Sequence, residues 1–513
     1  MHWRPVDFGL GFSIHSIGGN LLFLFIAIPL AVASILPLLG KISKRVLPDL
    51  LGNLTLVFLL GYTLWIGKEL SQAGGIVQRL EWLGEPLAIV LVLDGFSHLM
   101  LFTVSSVALC VTLFSIDYMK HYGEKVPYYA LFLMMIAGMN GLLLSPDIFG
   151  IFLFLELSAI ASYGLVAYGL GHDELEASFK YLMLSAVASG FVLLAIVLLF
   201  GLTGSLALGD IAMGLRALPP SPLVWVCVAF FVMGFGLKAA IVPFHAWLPD
   251  AHPSAPASIS AMLSGLLIKV SGIYALTRLL FNVFGVTPTL STVLLYLGTL
   301  SMVVGAFLAL GQNDIKRMLA YSSISQIGYI LLGLGAGNPL GLLGGLFHIM
   351  NHAMAKALLF LDSGSIERAT GTRDLQKMGG LASRMPLTAA TSVVGSLSIA
   401  GVPPLNGFWS KLLIILGLIE AKHYGFALIA ILASVLTLWY YLVIQRKAFF
   451  GKLNEIWRGV VEAPFWMSAS TVILALGCIG IGIFFSPMLK TWISPAVEIL
   501  YGGTVHALNF LGL

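Results

Sequence analysis

Four ionisable residues stand deep inside long apolar runs: Glu156, Lys238, Lys269 and Lys411. Each has several apolar residues on both sides. A lysine at the centre of a bilayer costs at least about 2.5–3.5 kcal/mol on insertion scales. Such residues persist where they pair or where they do chemistry. The chemistry open to one carboxyl and several amines is the binding and release of protons. Apolar surroundings weaken the hold of an ammonium on its proton and strengthen that of a carboxyl, and an opposite charge alongside does the reverse. A lysine that approaches and leaves a glutamate thus has an adjustable proton affinity, which a pump or antiporter needs. A purely structural buried ion pair is the competing reading.

Another apolar run adds His348, His352 and Lys356, with Asn351 beside them. Spacings of four keep the first three on one helix face. Histidine titrates near neutral pH, which suits a wetted proton path. Two histidines at this spacing can also ligate a metal, but no third ligand is evident, so no metal is expected. Lys180 and Lys356 are secondary candidates, since both lie near enough to a run's end for their stems to snorkel. His245, in Pro243-Phe-His-Ala-Trp-Leu-Pro249, is another; an interfacial helix end explains it equally well. Asp362 is expected at a helix end. Glu156 is then the one carboxylate in mid-span.

Elements that hold such residues away from water must themselves be apolar. Of 513 residues, 59% are hydrophobic and 10% charged, against about 25% charged in a typical soluble domain. Those figures exclude an ordinary globular enzyme and a disordered chain. The net charge of +4 is too small and scattered for a nucleic-acid footprint. Continuous apolar runs, without alternation, exclude a β-barrel. An all-α polytopic membrane protein remains. Fourteen runs of about 20 residues read as transmembrane helices. The fifth covers 147–169, the seventh 222–244, the eighth 255–281, the eleventh 340–362 and the twelfth 386–420. Loops are short, the longest being 68–93, 203–221, 363–385 and 446–464, so residues 1–513 form a single membrane domain.

Fifteen Lys and Arg fall at one set of span ends and seven at the other. The positive-inside rule places the richer side in the cytoplasm and both termini outside a cell or inner membrane. Residues 1–20 lack a basic leader and a small-residue cleavage site, so no cleaved signal peptide is expected. Cys110, Cys227 and Cys478 lie in apolar runs and none forms a C-x-x-C pair. They offer no cluster ligands and no disulfide framework. No nucleophile–base set or phosphate loop is present, so no catalytic centre and no cofactor is expected in this chain.

Two spans are broken by proline. The seventh reads Gly236-Leu-Lys238-Ala-Ala-Ile-Val-Pro243, and the twelfth reads Ala400-Gly-Val-Pro403-Pro404-Leu-Asn-Gly-Phe-Trp-Ser-Lys411. Proline removes a backbone donor and clashes with the preceding turn. Freed backbone groups are tolerated in a membrane only where protein or water satisfies them. Each break has a lysine beside it. Paired interruptions point to an inverted-repeat transporter. A weak repeat agrees: Leu155, Ser158, Ile160 and Gly164 recur as Leu319, Ser322, Ile324 and Gly328 at a constant offset of 164. The expected copies are 128–281 and 291–446, five spans each and therefore of opposite topology. In this alignment Ala320 takes the place of Glu156.

Together these residues resemble a known family. They include Glu156, Lys238 before Pro243, the loop Phe244 to His252, and Ser264-Gly-Leu-Leu-Ile-Lys269. Lys316-Arg-Met-Leu-Ala-Tyr-Ser-Ser-Ile-Ser-Gln-Ile-Gly328 and Gly401 to Lys411 complete the pattern. It is similar to the antiporter-like subunits of respiratory complex I, Mrp-type Na+/H+ antiporters and membrane-bound energy-converting hydrogenases, from about residue 90 to 450. The resemblance implies fourteen helices, two inverted five-helix repeats and a polar axis along the membrane middle. It implies that Glu156 pairs with Lys238, and that the pair drives a proton along Lys269, His348, His352 and Lys411. The chain looks like the shorter, D-type Mrp subunit or its hydrogenase counterpart. Implied partners are other membrane subunits of a multisubunit complex. H+ is the expected cargo, with Na+ left open. A self-contained secondary transporter of a small solute and a structural scaffold are the alternatives.

Overall fold

The computed structural model describes residues 21–80, 89–219 and 221–502. The expectations for residues 1–20 lie outside them. The chain opens with α1 (Leu24–Leu39) and α2 (Val46–Ala73), followed by the strands β1 (Ile76–Leu80) and β2 (Ile89–Leu93). Next come α3 (Gly95–Tyr118), α4 (Val126–Leu144), α5 (Ile148–Val166), α6 (His172–Thr203), the short α7 (Leu208–Ala217) and α8 (Pro222–Lys238). A short α9 (Leu248–Ser254) leads into one continuous rod, Ala257–Phe284. That rod is α10 (Ala257–Met262), wide π-type turns over Leu263–Tyr274, α11 (Ala275–Arg278) and further π turns to Phe284. Then follow α12 (Pro288–Leu310), α13 (Ile315–Gly335), α14 (Pro339–Thr370), α15 (Pro386–Ala400), α16 (Asn406–Glu420) and α17 (Tyr424–Ile444). The described chain closes with α18 (Phe465–Ile483), α19 (Phe485–Met488) and α20 (Ser494–Tyr501).

Among the described residues, ten helices are long and apolar enough to cross a membrane. The all-helical expectation is corrected by the two strands, which pair antiparallel from Ile76↔Leu93 to Leu80↔Ile89. Ile76-Val and Ile89-Val-Leu-Val-Leu are rich in β-branched side chains, which suit a pleated ribbon. The expected loop 363–385 begins late, because α14 runs on to Thr370. Asp362 consequently lies inside a helix, 1% exposed, and not at its end.

The centre of the molecule is the rod and α13, whose apolar windows are 100% and 94% buried; α2 and α6, at 33%, are peripheral. Close approach at the centre depends on glycine. A Cβ on Gly305 of α12 would stand 2.6 Å from the backbone nitrogen of Ser325 in α13. Gly138 of α4 meets Ser158 of α5 at the same distance, 2.6 Å.

A second local arrangement recurs in step with that one. Asp147 caps α5 by accepting from the Gly150 N–H, and Asp314 caps α13 by accepting from the Arg317 N–H. Each capping aspartate also forms a small antiparallel bridge with a downstream segment, Asp147 with Ala207 and Asp314 with Asp374. All these equivalences share one offset, 167. This offset differs by three residues from the 164 of the sequence alignment; at 167, Ser323 and not Ala320 falls opposite Glu156. In an apolar helix a slip of about one turn preserves the buried face, so sequence similarity alone tolerates it.

Candidate functional site

The first cluster forms where α8 stops. Lys238 is its last residue, and the chain beyond it breaks at Ala240 (φ 55) and Pro243. Protein satisfies the freed groups: Trp247 Nε1 donates to the Leu237 carbonyl at 2.8 Å, and the Val242 N–H donates to Ser301 Oγ at 3.0 Å. Lys238, 4% exposed, sends its Nζ to Ser185 Oγ of α6 at 2.6 Å and to Glu156 Oε1 of α5 at 3.3 Å. Ser189, one turn from Ser185, donates to the same Glu156 oxygen. The Glu156 side chain is 27% exposed, whereas that of Lys238 is 3%. Ser185 offers Lys238 a second acceptor, so the ammonium can release Glu156 without losing every partner.

The next cations lie at the molecule's centre. Ala239, adjacent to Lys238, packs on Gly272, three residues beyond Lys269 in the π turns. Lys269 is fully buried and donates to the Ser264 carbonyl in its own helix. Ser264 Oγ meets Ser323 Oγ of α13 at 2.7 Å. The neighbouring Ser322 accepts from Lys356 of α14, whose Nζ also donates to the Leu319 carbonyl at 2.8 Å and Tyr441 Oη at 3.0 Å. Ser264, Ser323 and Ser322 thus lie between Lys269 and Lys356. No carboxylate lies within 4.0 Å of Lys269, Lys356 or Lys411 among the described residues.

The histidines continue the line along α14. His348 Nδ1 meets Ser410 Oγ at 2.9 Å and its Nε2 meets Gln326 Oε1 at 3.1 Å. The His352 ring lies 6.0 Å from the His348 ring, and neither of its nitrogens has a hydrogen-bond partner. Lys411 of α16 ends the line. Its Nζ stands 4.4 Å above the Tyr329 ring and donates to the Ala400 carbonyl, at the broken end of α15, at 3.4 Å. Gly401 (φ 85) turns the chain there. The break is braced by Asn406, which accepts from Ser398 Oγ at 2.5 Å and donates to Asn351 Oδ1 at 3.1 Å.

The structure therefore brings Glu156, Lys238, Lys269, Lys356, His352, His348 and Lys411 into one polar line. Lys180 is not part of it: its side chain is 49% exposed and pairs with Glu176 at 2.8 Å and Asp250 at 3.5 Å. His245 is half-buried at the first break, with Nδ1 unpartnered.

Some polar residues of the interior were not singled out from sequence. His252, fully buried with both ring nitrogens unpartnered, stacks on Phe360 at 4.8 Å. It lies in the motif Phe244 to His252, so its signal was present but undivided from the rest of that loop. Lys316, counted with the loop cations, is buried and pairs with Glu367 at 2.6 Å. Lys125, likewise assigned to a loop, is buried against Asp49 at 2.5 Å.

Comparison with known proteins places this arrangement. Residues 145–437 match the family described as "NADH:quinone oxidoreductase/Mrp antiporter, TM", and residues 84–140 match "NADH-Ubiquinone oxidoreductase (complex I), chain 5 N-terminus". NADH-quinone oxidoreductase subunit N of Desulforudis audaxviator is 35% identical over 80% of this chain and 85% of its own length. The D-type subunit of the Na(+)/H(+) antiporter of Alkalihalophilus pseudofirmus is 35% identical over 84% of this chain and 87% of its own length. A chain of the archaeal membrane-bound sulfane sulfur reductase superposes with a TM-score of 0.88 at 30% identity, covering 96% of this chain and 100% of that one.

Proposed function

From the premise that the chain belongs to the NADH:quinone oxidoreductase/Mrp antiporter family, we propose that it is a proton-translocating, antiporter-like subunit of a multisubunit membrane complex. The observation that carries this reading is the contact of Lys238 with both Glu156 and Ser185 at a broken helix. A lysine with an acidic and a neutral acceptor in reach has two electrostatic states. Moving from the carboxylate to the hydroxyl weakens its hold on its proton. That proton has somewhere to go: Lys269, Lys356, His352, His348 and Lys411 follow in turn. Three of these are cations without a carboxylate, which fits groups that are neutral for part of a cycle.

The same reading takes the chain as fourteen crossings. To the ten long apolar helices it adds α1, α8 with α9, α14, and α15 with α16. Residues 128–281 and 291–446 are its two inverted copies. Support comes from the capped bridges at Asp147 and Asp314. α13 starts at Asp314 and ends at Gly335, beside a cleft lined by Arg216, Gly337 and His423. The bridge at Ala207 directly precedes α7, which carries Arg216 to that cleft. This reading sets the two bridges at opposite ends of the molecule, as inverted copies require.

The similar Alkalihalophilus protein is named for Na(+)/H(+) exchange. Glu156 is the carboxylate of the polar line in this chain, and Na+ favours carboxylate, hydroxyl and carbonyl ligands, so H+ is the cargo we assign. Both termini are taken to lie outside, on the side poorer in Lys and Arg.

The test is energised proton movement by the complex in liposomes, native against Lys238→Ala, with partner turnover followed in the same samples. Loss of movement in an assembled complex supports the reading. Unchanged movement reduces Lys238 to a structural partner of Glu156 and favours the scaffold.

A further inference from the structure

Asp362 is absent from the polar line, and its surroundings set it apart from one other buried acid, Asp94, and from three half-buried ones. Asp94 has Arg278 at 2.5 Å, Asp49 has Lys125, Glu367 has Lys316 and Glu156 has Lys238. Asp362 is 1% exposed, and among the described residues no Lys, Arg or His nitrogen lies within 4.0 Å of it. Its Oδ2 has no hydrogen-bond partner. Its Oδ1 lies 3.0 Å from Thr391 Oγ1 of α15. That hydroxyl also has the Leu387 carbonyl at 3.0 Å and the Thr388 carbonyl at 3.1 Å.

One hydroxyl hydrogen cannot serve three acceptors. If Asp362 were ionised, Thr391 would spend its hydrogen on it, and a bare carboxylate oxygen would still face apolar surroundings. Such burial of a charge is prohibitive without a counter-charge. A proton on Asp362 resolves both problems. The acid then donates to Thr391 Oγ1, and Thr391 donates back to its own helix.

Hydroxyl and carboxyl groups lead from Asp362 toward the surface, although the Thr391 hydroxyl meets the Thr388 carbonyl and not its hydroxyl. Thr388 lies one turn before Thr391 on the same face of α15. Its Oγ1 donates to Glu462 Oε1 at 2.6 Å. Glu462 is half-buried and accepts from the Leu387 N–H at 2.7 Å, at the start of α15. It lies in the loop before α18. Arg368, further along α14, is engaged by the Asp117 carbonyl, and Lys316 by Glu367. Deeper in, Ser392 and Ser396 of α15 accept from Gln445, one turn after Tyr441, the partner of Lys356.

We propose that Asp362 is a proton-holding group of this chain, exchanging with solution through Glu462, Thr388 and Thr391. It supplies protons toward Lys356 from the end of the molecule that carries the 446–464 loop. A proton lands on the Glu462 carboxylate. Each threonine oxygen accepts a proton as it gives up its own, and the carboxylate of Asp362 becomes the acid. The inference rests on the proton-translocating reading for its purpose, though not for its test.

The test is infrared spectroscopy of the purified complex containing native chain made with isotope-labelled aspartate, beside Asp362→Asn. A protonated carboxylic acid has a carbonyl band that moves with aspartate labelling and with transfer to D2O. We expect that band in the native complex, its absence in Asp362→Asn, and severalfold slower deuterium exchange in Thr391→Val and Glu462→Gln. An aspartate band that survives Asp362→Asn, or none in the native complex, overturns the assignment. Exchange unchanged in both route variants overturns the route. Because the native complex carries the first readout, poor folding of a variant does not decide it. Lys238→Ala transport measured in parallel separates the two readings: its failure leaves the band standing, and loss of the band leaves the Glu156–Lys238 pair untouched.

Discussion

Lys238 is held by two unlike acceptors, and the difference between them is measurable. In Ser185→Ala the ammonium loses a neutral acceptor to which a charged hydrogen bond contributes about 1.5–3 kcal/mol. The complex should still assemble, but energised proton movement should fall severalfold, while Glu156→Gln should abolish it. Equal loss in both would mean that Ser185 matters only for packing. Lys125 offers a contrast, as its pair with Asp49 lies away from the polar line. Lys125→Ala should lower stability by about 3–5 kcal/mol, because an uncompensated carboxylate is left behind. Most of that should return in Lys125→Met with Asp49→Leu, read by thermal unfolding of the purified complex. Proton movement should survive in the double variant.

Two close helix–helix approaches depend on a missing side chain. Gly305→Ala places a methyl against the Ser325 backbone, with no flexible group to yield. Overpacking of this kind costs about 1–3 kcal/mol. It should push α12 from α13 and disturb Ser322 and Ser323, which lie between Lys356 and Lys269. Gly138→Ala should do the same between α4 and α5, moving Glu156 on the far side of α5. Asp147→Ala and Asp314→Ala each remove a helix cap and should cost about 0.5–2 kcal/mol. Similar losses in the two cap variants, measured by hydrogen exchange at the starts of α5 and α13, would fit equivalent copies. Unrelated losses would count against the equivalence.

The whole molecule carries large apolar side chains on its outer surface. Trp439, Phe179 and Leu476 are each at least 60% exposed, a surface suited to lipid or to neighbouring subunits. Which end faces the cytoplasm is set by Lys and Arg counts. Lys377→Cys and Lys422→Cys test it, since both positions are exposed and stand at opposite ends. The native cysteines are all buried and should contribute little background. A membrane-impermeant maleimide added outside intact cells should label Lys422→Cys and spare Lys377→Cys. The reverse pattern would invert the assigned topology. Purification should bring partner subunits with the chain; recovery of a lone, active transporter would favour the self-contained alternative.

Charge inside an apolar run is visible in one dimension, and so is a proline that breaks it. That is why Glu156, Lys238, Lys269, Lys411 and both breaks were legible before any coordinates. The membrane makes such departures expensive, so they stand out from their background. Partnership is not visible in this way. Glu156 and Lys238 are 82 residues apart, and Lys356 and Tyr441 85 apart. Nothing along the chain reports that helices distant in sequence meet at those points. Depth was misjudged for Asp362, Lys125 and Lys316 for the same reason: an ion near the end of a run reads as a loop residue until a long helix or a packed neighbour covers it. The two-stranded ribbon was missed because apolar β-branched residues next to a span look like its continuation. The offset of 167 between recurring contacts was likewise invisible along the chain. Helices related by one turn bury the same face, and only contacts such as Gly305 against Ser325 distinguish them. Composition and the length of the apolar runs decided that this is a helical membrane protein with ionisable groups inside its spans; packing decided which of those groups touch.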